Sequence, residues 1–381
     1  MKLLHRYIFA SVALTSFAAV AVLTFIVALG SVLKDLLPSV LAGQLAPEIF
    51  LHLIVLTVQY SICYTLPGGV LTGVLLVLGR MSADREITAI RSSGVSIAGI
   101  SAPIFLFALI GTGLSLAVNF YFMPRAKVTY EQEFAEAVRS NPLSFIVPKT
   151  FIRDFPNRIV FVGENKNLKL KDVWVWELDK QARATAVYHA ERADLVYDDK
   201  TNNLQLTGYN VTVEKRDGKD PENFGKDYKG FAVHPERAFL PLSLEKITGV
   251  PKHNLKLEWL TFDQLMAERQ RLLQPDPKRS LAERDHQRII VQTVIQQKAA
   301  MAFSVLSFAL IAIPLGIKVS RKETSANLGI ALALAMSFYL LTIAIHGLEQ
   351  KPAFRPDLLM WLPNLGFQAL GISMFRKSDR S

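Results

Sequence analysis

Six apolar stretches and one strongly alternating middle section divide this sequence. Residues 8–33 form an apolar run of 26 broken only by Ser, Thr and one Gly. At about 1.5 Å per helical residue, that run exceeds the roughly 30 Å hydrocarbon core of a bilayer. Val40-Leu41-Ala42 after it resembles a signal-peptide cleavage site, but the run is longer than the roughly 7 to 15 residues of a signal core, so an uncleaved first span is expected. Further spans are expected at residues 49–78, 97–123, 289–317, 328–348 and 358–375.

Between the third and fourth runs the period changes to two. Residues 159–162, 173–178, 186–197, 204–213 and 231–242 are β-branched or aromatic. Turn clusters at 165–167, 198–200 and 217–219 separate them. An all-β sandwich or jelly roll follows, inserted between two helical bundles. The boundaries are 1–124 for the first bundle, 125–288 for the β domain with flanking helical linkers, and 289–381 for the second bundle. Trp174 and Trp176 share one strand face and are expected in the core. Residues 259–273 return to helical spacing, with Leu260, Phe262, Leu265, Met266 and Leu272 apolar.

Composition supports an integral membrane protein, since half of the 381 residues are apolar and they concentrate at the two ends. The net charge of +10 comes without a basic stretch interleaved with aromatics, so anionic lipid rather than nucleic acid is the expected partner. Cys63 is the single cysteine, which excludes a disulfide framework or a cysteine zinc site in the β domain. No Walker motif occurs, so ATP hydrolysis is expected in a partner. His189, His234 and His253 show no triad or metal spacing with acids, and His346 has no second ligand at helical distance, so no metal, cofactor or catalytic residue is expected.

A charged segment, 79–94, interrupts the second and third apolar runs. Ser82 is read as an N-cap of a short helix at about 82–93, Asp84 and Glu86 lie near its positive end, and Gly94 supplies a left-handed stop. Glu86 with Ile90 and Ile87 with Arg91 are four apart, so these residues and Arg85 form either a docking face or an ordinary loop. Pro67 predicts a bend in the second span, and Gly69 and Gly73 would admit a close helix neighbour. Lys34, at the end of the first span, is either a snorkelling anchor or a lipid contact. Arg125 and Lys127 follow the third span and face lipid phosphates or simply the interface. Lys298 interrupts the fourth span, where a charge must face the bundle interior or snorkel outward. The N-terminus, the 79–94 segment, the fourth-to-fifth connection and the C-tail hold eleven Lys and Arg, against three (Lys34, Lys351, Arg355) on the opposite short connections. Both termini are therefore expected in the cytoplasm and the β domain outside.

Leu78-Gly79-Arg80, Ser82, Glu86, Ala89, Arg91, Ser93-Gly94 and Ser96 resemble the coupling-helix pattern of the LptF/LptG family, the permeases of the lipopolysaccharide-export ABC transporter. Leu66 to Leu75 resembles that family's kinked second helix, Leu242-Ser243-Leu244-Glu245 and Leu260 to Leu265 its linker. Pro314-Leu315-Gly316 resembles its fourth-helix end, 16 residues after Lys298, and Trp361-Leu362-Pro363-Asn364 its "WLPN". Many members place a Glu where Val294 stands, so that intrahelical ion pair is absent. The resemblance implies six spans with a periplasmic β-jellyroll in the bacterial inner membrane. It implies Glu86 in the groove of a cytoplasmic LptB-like ATPase dimer, and Lys34 and Lys298 toward lipopolysaccharide or a related anionic glycolipid. It also implies a second permease of the family and LptC-like and LptA-like bridge proteins as partners. The motifs serve F-like and G-like halves alike. The competing classes are a membrane-anchored sensor or scaffold, which would have no ATPase partner, and a lipid-modifying enzyme, which would need the nucleophile or paired acids absent here.

Overall fold

The computed structural model describes residues 2–37, 40, 45–140, 146, 148–153, 155–166, 169–198, 203–216, 221, 231–243, 255–274, 281–318, 324–348 and 355–379. Readings that fall on residues 41–42, 167, 199–200, 217–219, 244–245, 253, 321–322, 351 and 380 lie outside the described residues.

Contacts divide the chain into two compact units: Met1–Val32 with Ile54–Thr129 and Leu255–Ser381, and Leu33–Leu53 with Tyr130–Asn254. The first holds most of the helices: α1 (Lys2–Ser31), α2 (Pro47–Ala83), α3 (Glu86–Ser92), α4 (Ile97–Ala117), α5 (Met123–Ser140), α6 (Phe262–Arg271), α7 (Leu281–Lys318), α8 (Thr324–His346), α9 (Pro356–Leu359) and α10 (Leu362–Asp379). The start of α2 and the end of α5 belong to the second unit. Among the described residues, six stretches are long and apolar enough to cross a bilayer, and α1 and α8 each bury little of their surface within the chain. Exposed Leu14, Phe17, Phe25, Leu332 and Leu340 carry no cost where the surrounding medium is hydrocarbon.

The helical core is one apolar cluster running from Ile8 and Val12 through Leu71, Leu75 and Leu78 to Phe308, Phe338 and Phe367. Its centre is a set of tilted and edge-on rings, Phe308 with Phe338 at 5.0 Å and with Phe367 at 5.5 Å. Gly69 and Gly73 let α1 lie directly on α2. A Cβ at Gly69 would fall 2.9 Å from Val20 Cα, and one at Gly73 2.6 Å from Ser16 Cα. Thr24 and Thr65, both buried, share a 2.6 Å hydroxyl bond along the same seam.

The second unit carries an antiparallel sheet of β1 (Phe151–Ile152), β2 (Arg158–Lys166), β3 (Lys169–Leu178), β4 (Ala184–Asp198), β5 (Asn203–Lys215), β6 (Phe231–Val233) and β7 (Arg237–Ser243). The order is β1 to β6, with β7 also on β5. Residues 231–242, read as one strand, form two, since Pro235 cannot donate to a ladder. β6 pairs with Val213–Lys215 and β7 with Asn203–Tyr209.

The ladders are interrupted, with the same register on either side, in a row where Gly163, Asp172, Glu191 and Asn210 fall opposite one another. Asp172 and Asn210 have φ of 53° and 52°. On either side of this row the buried positions change parity: Leu170 against Val173 and Val175, Ala190 against Ala193 and Leu195, Leu206 against Val211. The pairing register is unchanged across this row, so it is the left-handed backbone there, and no slip, that accompanies the change of parity, and both halves feed one core.

Trp174 and Trp176 are not in that core. Val173 and Val175 are 1 % exposed, while the tryptophans stand half-buried on the opposite face. Asp172 Oδ1 accepts from Trp174 Nε1 at 2.9 Å, and His189 stacks on Trp174 at 4.0 Å.

Candidate functional site

The turn between α2 and α3 is the first of two places where polar chemistry gathers. Ser82 is not an N-cap: α2 continues through it, and its hydroxyl donates a 2.9 Å bond to the Ile317 carbonyl at the end of α7. α3 instead starts at Arg85, whose φ is 60° and which makes no side-chain cap. Its far end is as read, because Gly94 adopts φ 85°. Gly94 N–H donates to Arg91 O and Val95 N–H to Ile90 O, the paired bonds of a Schellman stop.

A seven-residue helix cannot hold itself. Ile87 is 4 % exposed and joins the helical core with Ile8 and Met81, and Ile90 packs on the same cluster. Ile87 and Ile90 therefore fasten α3 to its own bundle. Arg85, Thr88, Ala89 and Arg91 are exposed and Glu86 is half-buried. Tyr7 Oη lies 3.4 Å from Glu86 Oε2 and accepts from Arg80 Nη2 at 3.3 Å.

The second place is a cavity of about 450 Å³ inside the helical unit, walled by Val27, Met123, Val294 and Met301 and by polar Tyr64, Asn119, Glu258, Gln297, Lys298 and Tyr339. Lys298 is 5 % exposed. Its ammonium donates to two main-chain carbonyls, Leu260 O at 3.0 Å and Asn119 O at 3.3 Å. Tyr339 Oη donates to the Tyr64 carbonyl, one turn before Pro67. Glu258 Oε1 lies 3.8 Å from His346 Nε2.

Within the same unit, neither Arg125 nor Lys127 lines this cavity. Lys34 is exposed on a π-helical turn, Val32–Leu36, that continues α1. Arg125 is exposed, 6.0 Å from the centre of the Tyr121 ring. Lys127 lies 5.0 Å from the Tyr60 ring and 5.7 Å from the Trp259 ring. The sequence reading did not single out Tyr64, Asn119, Glu258 and Tyr339. The available signal for Tyr64, Asn119 and Tyr339 was a polar side chain within an apolar span, which marks interior-facing positions.

The last motif is a clamp. Trp361 Nε1 donates to Gln296 Oε1 at 2.8 Å and Asn364 Nδ2 to Ala300 O at 2.8 Å, while Asn364 Oδ1 accepts from Ser307 Oγ at 2.7 Å. Pro363, with no amide hydrogen, sits in the first turn of α10, where none is needed. Pro314 and Gly316 close α7.

Residues 6–377 match the lipopolysaccharide export system permease LptF/LptG family. The chain is 22% identical to the lipopolysaccharide export system permease protein LptF of Escherichia coli K12 over 345 residues, 89% of this chain and 86% of that one. It is similar to the same degree, over the same shares, to LptF of Shigella flexneri. The match takes in both helical bundles, the α2–α3 turn and the β sheet alike, and so the chain belongs to the LptF/LptG family of lipopolysaccharide export permeases.

Proposed function

We propose that this chain is a permease subunit of an ABC transporter that extracts lipopolysaccharide, or a related anionic glycolipid, from the bacterial inner membrane and passes it to a periplasmic bridge. The observation that carries this reading is a family match that runs through residues 6–377 without leaving out either bundle or the inserted sheet.

In this reading both termini and α3 face the cytoplasm, and the sheet unit is a periplasmic jellyroll whose apolar interior takes acyl chains onward. A cytoplasmic LptB-like ATPase dimer engages α3 through Glu86 with Arg85 and Arg91, while Ile87 and Ile90 hold that helix to the bundle. A second permease of the family completes the membrane part, and LptC-like and LptA-like proteins continue the path. The cavity beside Lys298 belongs to the lipid route, and Lys34, Arg125 and Lys127 supply positive charge for phosphates. Export then requires that the ATP-driven state bind lipid worse than the resting one, since only a difference in affinity moves cargo.

The test is purification in mild detergent, with mass spectrometry of the retained lipids and subunits. The wild-type chain is expected to carry an ATPase subunit and a phosphorylated glycolipid. Glu86→Arg is expected to lose the ATPase while inserting normally. Normal export in that variant would overturn the assignment of Glu86, and absence of any ATPase from the wild type would overturn the permease reading.

A further inference from the structure

We propose that Lys298 is a positioning residue for transport: a clasp that fixes the return segment, Leu257 to Leu260, against the third span where both form the wall of the cavity. The role in transport rests on the permease reading above; the clasp itself does not.

A charged ammonium deep in an apolar span must be satisfied locally. Lys298 finds its acceptors on two other elements, and each acceptor is vacant for a reason written in the backbone. Between α4 and α5 the helix widens to a π-helical turn, Val118–Phe122, so that Met123 N–H donates to Val118 O, five residues back. The next residue is Pro124, which has no amide hydrogen to give Asn119 O. The carbonyl of Asn119, a residue 2 % exposed, is thereby left outside the helical ladder, and Lys298 supplies the donor at 3.3 Å.

Leu260 is the extended residue between the 3-10 turn Leu257–Trp259 and the N-cap of α6, Thr261. The first bond of α6 goes from Leu265 N–H to Thr261 O, so Leu260 O also lies outside a ladder and takes the second ammonium proton at 3.0 Å.

Two of the three ammonium donors are thus spent on holding protein to protein. Apolar contacts hold the return segment as well, and Leu257 and Leu260 share in them. Phe262 meets Phe120 edge-on at 5.2 Å, and Leu265 and Leu272 pack with Val291, Val294 and Ile295. What Lys298 adds is a polar tie, directed at two main-chain oxygens, at the end that carries Glu258, and Glu258, Asn119 and Lys298 all face the cavity. A direct lipid ligand would leave the lipid-free protein unchanged when replaced. A clasp would not.

Amide exchange of the lipid-free, full-length chain in detergent separates the two. In Lys298→Met, exchange across 257–262 is expected to rise roughly tenfold, the loss of a charge-assisted hydrogen bond, with the α7 core unchanged. Lys298→Arg, which keeps donors for both carbonyls, should recover most of the protection. In the assembled transporter Lys298→Met should lower lipid release several-fold more than ATP hydrolysis. Pro124→Ala leaves the ammonium intact but offers Asn119 O an amide hydrogen, so a partial rise in exchange over the same residues is expected even if Lys298→Met does not fold. Exchange within twofold of wild type in both Lys298→Met and Pro124→Ala would overturn the clasp, whatever export does. Raised exchange with normal lipid release would overturn the positioning role and leave the permease reading standing.

Discussion

Ser82 Oγ lies 2.9 Å from the Ile317 carbonyl and donates to it, joining the last turn of α2 to the last turn of α7 across 235 positions of sequence. The neighbouring contact explains the small residue beside it. A Cβ on Gly316 would fall 2.8 Å from Leu78 Cβ, and both are backbone-proximal atoms that cannot swing away.

Gly316→Ala is therefore expected to push the two helix ends apart and destabilise the bundle by about 1–3 kcal/mol, the range for overpacking a filled site. Ser82→Ala removes only one hydrogen bond and should cost about 0.5–1.5 kcal/mol. Thermal unfolding of the detergent-solubilised chain should show Gly316→Ala melting well below Ser82→Ala.

The clamp on α7 makes a sharper forecast. Asn364 is fully buried and uses both ends of its amide, on Ala300 O and Ser307 Oγ, while Gln368 Nε2 reaches the same Ser307 oxygen at 3.0 Å. Asn364→Leu keeps the volume and removes two buried hydrogen bonds, each worth about 0.5–1.5 kcal/mol, while Ser307 Oγ keeps Phe303 O and Gln368 as partners. Trp361→Phe loses a single bond to Gln296 and should be milder. An Asn364→Leu melting temperature equal to wild type would contradict this account.

Asp179 gives the sheet unit a pH dependence of known sign. Its Oδ1 accepts from the Gln181 and Arg183 amides at 2.8 and 2.9 Å, and its Oδ2 from Arg183 Nε at 2.9 Å. The Arg183 amide first, then the Arg183 side chain and the Gln181 amide, hold the carboxyl below its ordinary range. A depressed folded value means the contribution is complete above the unfolded-chain value and disappears as pH falls through the folded one. Exchange protection at 179–183, corrected for intrinsic rates, should fall as the medium is acidified through that window. In Asp179→Ala it should be low already at neutral pH and show no such step.

Much of this architecture was legible because length and apolarity alone specify a span, and Gly94 alone specifies where α3 stops. Ser82 misled because a hydroxyl before a charged run has the same spelling whether it caps the next helix or reaches a distant carbonyl. The tryptophan pair misled for a related reason: a period of two says that Trp174 and Trp176 share a face, and only the change of parity at Asp172 and the burial of Val173 and Val175 decide which face is inside. The partners of Lys298 are main-chain oxygens, and a carbonyl leaves no trace in the identity of its residue. Pro124 was the one clue, since a proline five residues after Asn119 removes the donor a π-turn would have used.

The two sides of α3 separate stability from engagement. Ile87 is packed with Ile8 and Met81, so Ile87→Ala should loosen α3 itself, at about 2–5 kcal/mol for a large-to-small change in a core, and would depress both melting temperature and any partner binding. Arg91 is exposed near the negative end of the helix dipole. Reversing it to Glu places a like charge there at a cost of only a few tenths of a kcal/mol to about 1 kcal/mol. If α3 is the surface an ATPase grips, Arg91→Glu should leave the melting curve nearly in place while reducing co-purified ATPase several-fold. Equal loss of ATPase in Ile87→Ala and Arg91→Glu, with equal melting shifts, would mean that the exposed face has no role apart from holding the helix together.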